Sequence, residues 1–300
     1  MSDFETSCGY AAIIGLPNAG KSTLINALVG QKISIVSRKV QTTRFRVVGI
    51  VNNDQTQVVF VDTPGVFLPK KTLERAMVAN ALESMNDADV VLHLVDTVKK
   101  DTLEANRGII AQLPTNKPCW LVLNKVDVAR RIDLMPLAAS FNEAFSYEKT
   151  FMVSAATSSG LNDLMGDITQ VMPQGPWLFA EDQVTDMPMR MLAAELTREK
   201  IFDRLHEELP YEIFVETIHW ENFDNGDIKV SQTVYVQRDS QKGIVLGKGG
   251  RQIKEIGTAV REELSDMLER RVHLSIMVKV QENWSERAEN YRLMGLEIKS

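Results

Sequence analysis

Apolar positions in the first half of the chain follow two different periods. Short, nearly continuous apolar runs alternate with segments in which apolar residues recur at helical spacing, as in GKSTLINALVG and GLNDLMGDITQVM. The first pattern is typical of buried strands and the second of helices packed on one face. Strands that alternate with helices predict an α/β domain with a mostly parallel sheet. The predicted strands are YAAII, RFRVVGIV, TQVVFVD, DVVLHLVD, PCWLVLNK and KTFMVS.

Two of these strands are close together in sequence. RFRVVGIV and TQVVFVD are separated only by the turn residues NNDQ, a spacing at which strands pair as a hairpin. Because a hairpin is antiparallel, we expect one antiparallel strand at an edge of the otherwise parallel sheet.

The pattern changes near residue 173. Residues 173–188, PQGPWLFAEDQVTDMP, contain three prolines and show no clear periodicity, so we interpret them as a linker that follows a first domain, 1–172. The second domain, 189–282, has the order helix, strand, strand, glycine cluster with helix, strand, which is a smaller α+β arrangement. The amphipathic segment 283–300 is predicted to be a packed tail helix.

The composition is that of a soluble globular chain. Of 300 residues, 44% are hydrophobic and 25% are charged, and this length suits about two domains. The N-terminal MSDFETSCGY has neither a basic region nor an apolar core, and no apolar run approaches the ~20 residues of a membrane span. We therefore expect a cytoplasmic protein. The net charge of −6 argues against indiscriminate coating of nucleic acid but is compatible with a local basic patch.

The cysteines and histidines form no recognisable metal or redox pattern. Cys8 and Cys119 lie far apart and the four histidines are scattered. We interpret all six as packing or surface residues. The histidines are His93, His206, His219 and His273.

The stretch GLPNAGKS follows the first predicted strand and opens a helix. Its glycines allow a tight turn whose N–H groups point inward, and the helix adds its positive dipole end, so the loop suits phosphate groups. Lys21 can reach the β and γ phosphates, and the Ser22 hydroxyl can ligate Mg²⁺. An ordinary strand-to-helix turn is the alternative. The residues assigned to nucleotide binding here are Gly15, Asn18, Ala19, Gly20, Lys21, Ser22 and Thr23.

A second segment indicates which base is bound. Asn124, Lys125 and Asp127 follow the strand PCWLVL, at the strand end where such sheets contact ligands. The Asp127 carboxylate can accept from both guanine N1–H and the exocyclic amine, whereas adenine offers no such pair of donors. The Lys125 stem can lie along the ring. A solvated turn is the alternative for NKVD taken alone. Ser154, Ala155 and Ala156 follow the next strand and would support the base through backbone N–H groups.

Two further segments would complete the site. Asp62, at the end of TQVVFVD, can hold Mg²⁺ through a water, and the Gly65 N–H can approach the γ-phosphate because no side chain obstructs it. Upstream, QTTR offers a threonine that could complete the metal shell only with GTP; Thr43 is favoured over Thr42. Both segments would then order with GTP and relax after hydrolysis. Lys21, Thr43 and Gly65 are the residues predicted to act on the transferring phosphoryl group, and Ser22, Thr43 and Asp62 those predicted to hold the metal.

With these four motifs in order, residues 8–172 resemble the small GTPase domain of the translation-factor-related class. One position departs from the Ras-like pattern, because Val66 follows DTPG where Ras-like proteins carry a glutamine that orients the attacking water. The resemblance is therefore to GTPases with a hydrophobic residue there. It implies slow intrinsic hydrolysis, with the water positioned by another group; plain packing is the alternative role for Val66.

The second domain carries a glycine cluster, Gly247, Lys248, Gly249 and Gly250, before an amphipathic helix. GxxG alone is a weak motif, but RNA-binding KH domains use such a loop to bring the nucleic acid backbone close. Between residues 241 and 261, five basic residues stand against one acid, a local charge of +4. A solvated basic helix after a tight turn is the alternative. The residues assigned to RNA are Lys242, Gly247, Lys248, Gly249, Gly250, Arg251 and Lys254.

The helix-first, strand-last order resembles the bacterial-type (type II) KH domain, and a GTPase domain followed by one such domain resembles the bacterial Era GTPases over nearly the whole chain. The resemblance implies a switch protein that, with GTP and Mg²⁺, binds the 3′ end of 16S rRNA on the 30S precursor, and releases it as GDP forms. It also implies a loose, peripheral contact with the inner membrane, although a packed terminal helix is the preferred interpretation of the tail. The single nucleotide switch and the single RNA-binding loop, which follow each other closely in the chain, favour a monomer.

Two other functions fit parts of this pattern. A GTPase coupled to tRNA modification shares the TTR and DTPG motifs, but such proteins carry a folate-binding or helical domain in place of a GxxG loop. An RNA chaperone in which nucleotide is only a structural ligand is conceivable because of Val66. Phosphate release with and without RNA separates the possibilities.

Overall fold

The computed structural model describes residues 5–37, 46–63, 65, 72–205, 212–282 and 284. These residues divide into two compact units. The first unit comprises 5–34 and 46–186, and the second comprises 35–37 and 187–284, in each case for the residues just given.

In the described part of the first unit, six strands form one sheet in the order β2-β3-β1-β4-β5-β6. β2 is antiparallel to β3, and every other neighbouring pair is parallel. The structure therefore confirms both the mostly parallel sheet and the antiparallel hairpin at its edge. The strands are β1 (Ser7–Ile14), β2 (Val47–Asn53), β3 (Thr56–Asp62), β4 (Val90–Asp96), β5 (Cys119–Asn124) and β6 (Lys149–Met152).

The central strands are apolar along their length because helices cover both faces of the sheet. Every residue of β4 and β5 is buried. The register pairs Ile13 with Asp62 and Asp96 with Asn124, so the polar residues at the carboxyl ends of neighbouring strands reach the same edge of the sheet. The helices of this unit are α1 (Lys21–Val29), α2 (Thr72–Asp87), α3 (Thr102–Ile110), α4 (Arg131–Ala144) and α5 (Leu161–Val171).

The stretch predicted to be a linker is hydrogen-bonded to the first unit over most of its length. The Cys8 N–H donates to the Pro173 carbonyl at 3.0 Å, and the Ile50 N–H donates to the Val184 carbonyl at 2.9 Å. The Thr185 hydroxyl donates to the Val48 carbonyl at 2.7 Å. These bonds satisfy backbone groups of β1 and β2, and the division between the units falls after Asp186.

The second unit is built on a sheet with the order β7-β8-β9, in which β7 and β8 are antiparallel and β8 and β9 are parallel. Its elements are α6 (Met189–Arg204), β7 (Phe214–Asn222), β8 (Ile228–Val236), α7 (Asp239–Leu246), α8 (Arg251–Leu268) and β9 (Val272–Val280). α7 is absent from the predicted order, and the glycine cluster therefore joins two helices. Ile256, Val260 and Leu264 of α8 are completely buried in the core of this unit.

Some predicted features lie outside the described residues. They are Thr42 and Thr43, Val66, and the tail helix except for its residue 284. In the described ranges, no helix is both long enough and apolar enough to cross a membrane.

Candidate functional site

The loop of residues 15–20 connects β1 to α1 at the carboxyl edge of the sheet. A Cβ on Gly15 would lie 2.4 Å from the Leu94 carbonyl oxygen, and one on Gly20 would lie 2.4 Å from Asn124 Nδ2. Gly20 also has a φ of 98°, which disfavours any residue with a Cβ. Glycine is therefore required at both positions to bring the loop this close to β4 and β5.

Lys21 is the first residue of α1, and Ser22 and Thr23 follow it in the same helix. Its ammonium group donates to the carbonyl oxygens of Gly15 and Leu16, each at 3.2 Å. Burial lowers the pKa of Lys21 to about 8, an effect that the Asp62 carboxylate opposes. The loop thus encloses a cation whose charged form an anionic ligand would stabilise.

The predicted metal residues of the described chain are adjacent. Asp62 is completely buried, and its Oδ2 accepts hydrogen bonds from the hydroxyls of Ser22 at 2.9 Å and Ser34 at 3.0 Å. The described residues contain no group of three or more His, Cys, Asp or Glu side chains suited to a metal. A hydroxyl beside one carboxylate fits Mg²⁺, which takes few protein ligands and completes its shell with phosphate oxygens and waters.

Gly65 is buried beside the start of the phosphate loop. A Cβ at this position would lie 2.9 Å from the backbone nitrogen of Pro17, a contact that no side chain tolerates. Two residues earlier, the Thr63 hydroxyl donates to the Ile13 carbonyl at 2.9 Å, which ties this segment to β1. The close approach explains in physical terms why glycine follows DTP in this chain.

Asn124 holds two loops together. Its Nδ2 donates to the Ala19 carbonyl at 2.9 Å, and its Oδ1 accepts from the Ala155 N–H at 3.0 Å. The side chain is 1% exposed. Asn124 therefore fixes the phosphate loop and the loop after β6 relative to β5.

Lys125 makes a similar connection from a strained backbone, with a φ of 68°. Its ammonium group donates to the Asn18 carbonyl at 2.8 Å and forms an ion pair with Asp96 at 2.7 Å. Lys125 follows β5, Asn18 lies in the phosphate loop and Asp96 ends β4. The lysine side chain therefore connects the end of β5 to both the phosphate loop and the end of β4. An extended stem of this kind is suited to covering one face of a planar ring.

Asp127 lies in the loop between β5 and α4 and is exposed. In the loop after β6, Ser154 is buried and its hydroxyl accepts the Thr157 N–H at 3.2 Å. Ala155 is also buried, whereas Ala156 is exposed. Through Asn124, the structure places this loop beside the segment that carries Asp127.

Sequence reasoning missed three residues of this site, Asn26, Ser34 and Asp96. Asp96 could have been found, since it ends a predicted strand in the manner of Asp62. Ser34 has no signal of its own, because its partner Asp62 lies 28 residues away in sequence. Asn26 holds the backbone of Ser34. It could not be assigned from sequence either, because its importance follows from the contact between Ser34 and Asp62.

The glycine cluster of the second unit forms a short 3₁₀ turn, Lys248–Gly250, between α7 and α8. Gly247, Gly249 and Gly250 have φ values of 70°, 61° and 74°, which glycine adopts without strain. A Cβ on Gly247 would lie 2.7 Å from Gln252 Cβ. Gly247 is therefore covered by Gln252, whereas a Cβ on Gly249 or Gly250 would meet nothing within 4 Å. The backbone is uncovered at these two glycines, and Lys248 between Gly247 and Gly249 is exposed.

A cleft of about 260 Å³ lies beside this turn. Arg204 of α6 contributes a cation that the sequence did not predict, and its guanidinium lies 2.7 Å from Glu255. Arg251 lies 3.8 Å from the same carboxylate, so Glu255 offsets part of the positive charge. The cleft is lined by Arg204, Gly247, Lys248, Arg251, Gln252 and Glu255. Lys254 is exposed on α8 and Lys242 is half-buried on α7; neither lines the cleft.

Comparison with known proteins assigns both halves of the chain. Residues 10–125 match the family described as 50S ribosome-binding GTPase, and residues 208–285 match the KH domain family. The GTPase Era of Sinorhizobium medicae (strain WSM419) is 52% identical over 293 residues, which are 98% of this chain and 94% of that protein. The chain belongs to the GTPase Era family. The Era of Mesorhizobium japonicum is 50% identical, with 99% and 98% of the two chains covered.

Solved structures of Era agree with this fold. The crystal structure of Era in complex with MgGDPNP and nucleotides 1506–1542 of 16S ribosomal RNA matches with a TM-score of 0.89 and 37% identity, covering 97% of this chain and 99% of that one. A point variant of Aquifex aeolicus Era bound to GDP.AlF4⁻ matches with the same TM-score and coverage at 38% identity. The expected architecture of a P-loop GTPase domain followed by a KH domain is therefore confirmed.

Proposed function

We propose that this Era-family protein binds and hydrolyses GTP with Mg²⁺, and that it binds the 3′ end of 16S rRNA to assist assembly of the 30S subunit. The observation that carries the nucleotide half is the meeting of the phosphate loop, the Asp62 carboxylate and the Asn124 brace at one edge of the sheet. The RNA half is supported by the exposed glycine turn and by the relative that was solved with 16S rRNA.

The phosphate loop would supply most of the transition-state stabilisation. In phosphoryl transfer the protein mainly positions the substrate and neutralises charge that develops on the phosphoryl oxygens. The Lys21 ammonium group is already enclosed by the loop, and the α1 N-terminus directs its N–H groups to the same place. Ser22 and Asp62 would hold Mg²⁺, which would supply positive charge to offset that of the phosphate groups. No covalent intermediate is required.

Gly65 and Thr43 would report the γ-phosphate. The Gly65 backbone is packed against the phosphate loop, so a hydrogen bond from its N–H would move the segment that follows it. Thr43, in preference to Thr42, would bind the metal only while GTP is present. These contacts form with GTP and are lost after hydrolysis, which gives the protein two states.

The base would be read by Asp127, whose carboxylate accepts from guanine N1–H and the exocyclic amine. Lys125 would lie along the ring. Asn124 contributes through the loops that it ties together, since both polar atoms of its side chain are bound to the protein. The N–H groups of Ser154, Ala155 and Ala156 remain the proposed contacts to the far side of the base.

The RNA backbone would approach the turn at Gly249 and Gly250, where a Cβ would meet nothing within 4 Å. Lys248, Arg251 and Arg204 supply positive charge at the cleft, and Lys242 and Lys254 extend it along the two helices. The offset by Glu255 favours a local strand contact over broad binding of nucleic acid. We propose that the protein acts as a cytoplasmic monomer, with any membrane contact peripheral.

Phosphate release tests this function against its alternatives. We expect slow basal release from GTP by the wild type, none by Lys21→Ala, and faster release with an RNA that carries the 3′ end of 16S rRNA. An RNA chaperone with a structural nucleotide would show no turnover in any condition. A GTPase coupled to tRNA modification is disfavoured because the second unit is a KH domain. Phosphate release that is stimulated by tRNA and not by the 16S rRNA fragment would favour that alternative instead.

A further inference from the structure

A closed ring of hydrogen bonds surrounds the proposed metal carboxylate. Asp62 Oδ2 accepts from Ser22 at 2.9 Å and from Ser34 at 3.0 Å. Ser34 is in turn held by Asn26, whose Oδ1 accepts the N–H groups of Ile33 and Ser34 at 2.9 Å each and whose Nδ2 donates to the Ser34 carbonyl at 2.7 Å. The ring closes through α1, which carries both Ser22 and Asn26.

The local sequence makes this ring. Ser22 and Asn26 are four residues apart in α1 and so lie on the same face of the helix. The helix ends at Val29 and is capped by Gly30, whose φ of 75° reverses the chain. The next four residues return along the helix to Asn26, and Ser34 arrives beside Asp62 with 1% of its surface exposed.

The Ser34 hydroxyl bonds to Asp62, whereas the contacts from Asn26 already hold the backbone of the turn. The Asn26 clamp alone satisfies three backbone groups of the turn, whereas the Ser34 hydroxyl adds a second hydrogen bond to a carboxylate oxygen that Ser22 already binds. Two donors on one oxygen restrict rotation of the carboxylate about its side-chain bond. The orientation of Asp62 is therefore set by Ser34 and Asn26 as well as by Ser22.

We propose that Ser34 and Asn26 are positioning residues that set the Mg²⁺ affinity of the nucleotide site by fixing the Asp62 carboxylate. This inference rests on the proposed GTP and Mg²⁺ binding. Asp62 is proposed to hold Mg²⁺ through a water and so belongs to the outer shell of the metal, which Ser34 and Asn26 orient. Loss of outer-shell contacts commonly lowers metal affinity by about 10- to 100-fold, and we expect the lower end of that range here.

The test is the Mg²⁺ dependence of nucleotide release. Dissociation of a fluorescent GDP is measured over a range of free Mg²⁺ concentrations, together with GDP affinity in excess EDTA and the melting temperature. Mg²⁺ is expected to slow GDP release, and the free Mg²⁺ concentration that gives half of this effect should be about tenfold higher for Ser34→Ala than for the wild type. The GDP affinity of the variant in EDTA should stay within about twofold of the wild type. Ser34→Thr keeps the hydroxyl and should restore the wild-type value.

Asn26→Ala adds no charge and removes all three hydrogen bonds that hold Ser34, so it should raise the required Mg²⁺ concentration at least as much as Ser34→Ala does. Thr197→Ala is the matched control. It removes a completely buried hydroxyl of the second unit that is bound to Gln232 at 2.5 Å, and it should lower the melting temperature without changing the Mg²⁺ dependence.

The outcomes separate this inference from the function on which it rests. A wild-type protein that releases GDP at a rate independent of Mg²⁺ would overturn the proposed metal site itself. A wild type that responds to Mg²⁺, with Ser34→Ala responding at the same concentration, would overturn the positioning role alone. A loss of GDP affinity in EDTA equal to the loss with Mg²⁺ would show a purely structural role and would also overturn it.

Discussion

The Oδ1 atom of Asn124 accepts a hydrogen bond from the Ala155 N–H at 3.0 Å, and this contact joins the end of β5, after which the proposed base-reading residue Asp127 follows, to the loop after β6. The same side chain donates to Ala19 in the phosphate loop. One buried amide therefore holds together three segments that are far apart in sequence. We therefore predict that Asn124 shapes the nucleotide site rather than contacting the nucleotide itself.

Asn124→Ala should weaken GTP and GDP binding by similar factors of about 10 to 100, because two buried hydrogen bonds are lost and both loops are released. The preference for guanine over other bases should be unchanged, since Asp127 is intact. Titration with fluorescent GTP, GDP and XTP checks both statements. A selective loss of guanine preference would show that Asn124 itself reads the base.

Asp127→Asn should exchange the base preference. An amide cannot accept from both guanine N1–H and the exocyclic amine, so GTP affinity should fall by about 100-fold. Xanthine carries a carbonyl in place of that amine and should bind better to the variant than to the wild type. Competition between GTP and XTP measures the exchange, and a retained GTP preference contradicts the proposed base pocket.

Negative charge placed in the glycine turn should weaken RNA binding without changing nucleotide binding. Lys248→Asp combined with Gly249→Asp should weaken binding of a single-stranded 16S 3′-end RNA by at least about tenfold and reduce its salt dependence, with GTP affinity unchanged. Asn225→Asp combined with Lys229→Asp makes the same total change of charge in the β7–β8 hairpin and serves as the control. Equal losses in the two double variants would contradict a specific role for the turn.

His93 should make the protein sensitive to acid. It is completely buried in β4, where its Nδ1 lies 2.6 Å from the Tyr147 hydroxyl and its Nε2 lies 3.0 Å from Asn106 Oδ1, with Phe141 against the ring. Burial lowers the pKa of His93 to about 4. Between pH 6.5 and 4 the unfolded chain binds a proton at this position and the folded protein does not, so stability is lost as the pH falls.

The expected contribution of His93 is about 3 kcal/mol of unfolding free energy lost by pH 4. The unfolding free energies of the wild type and of His93→Gln are measured with urea at several pH values between 7 and 4. Their difference gives the contribution of His93, because the other groups titrate alike in both proteins. The variant should show the weaker pH dependence. Parallel stability curves for the two proteins would mean that His93 is protonated while folded.

Much of the first unit could be predicted because its strands are continuous apolar runs that end in polar residues. Asp62 and Asn124 follow such runs directly, and parallel strands bring their carboxyl ends to one edge of the sheet. Ser34 could not be assigned in this way, because its partner is reached only after the chain turns back at Gly30. Contacts of this kind arise from tertiary structure and leave no local pattern.

The second unit shows a similar division. β9 was predicted with its observed bounds, since VHLSIMVKV is rich in β-branched and apolar residues. α7 was missed because Gly243 within it and Gly247 at its end lower its helix propensity. The net charge counted along residues 241–261 also omitted Arg204, which reaches the cleft from α6.

The central claim is that GTP controls capture of a specific RNA by the glycine turn. It is tested most directly by crosslinking the protein to total cellular RNA with GDP or with a non-hydrolysable GTP analogue, and sequencing the bound fragments. The account predicts enrichment of the 3′ end of 16S rRNA in the GTP-analogue state only, and loss of that enrichment in the Lys248→Asp, Gly249→Asp double variant. Scattered fragments recovered equally in both nucleotide states would contradict it.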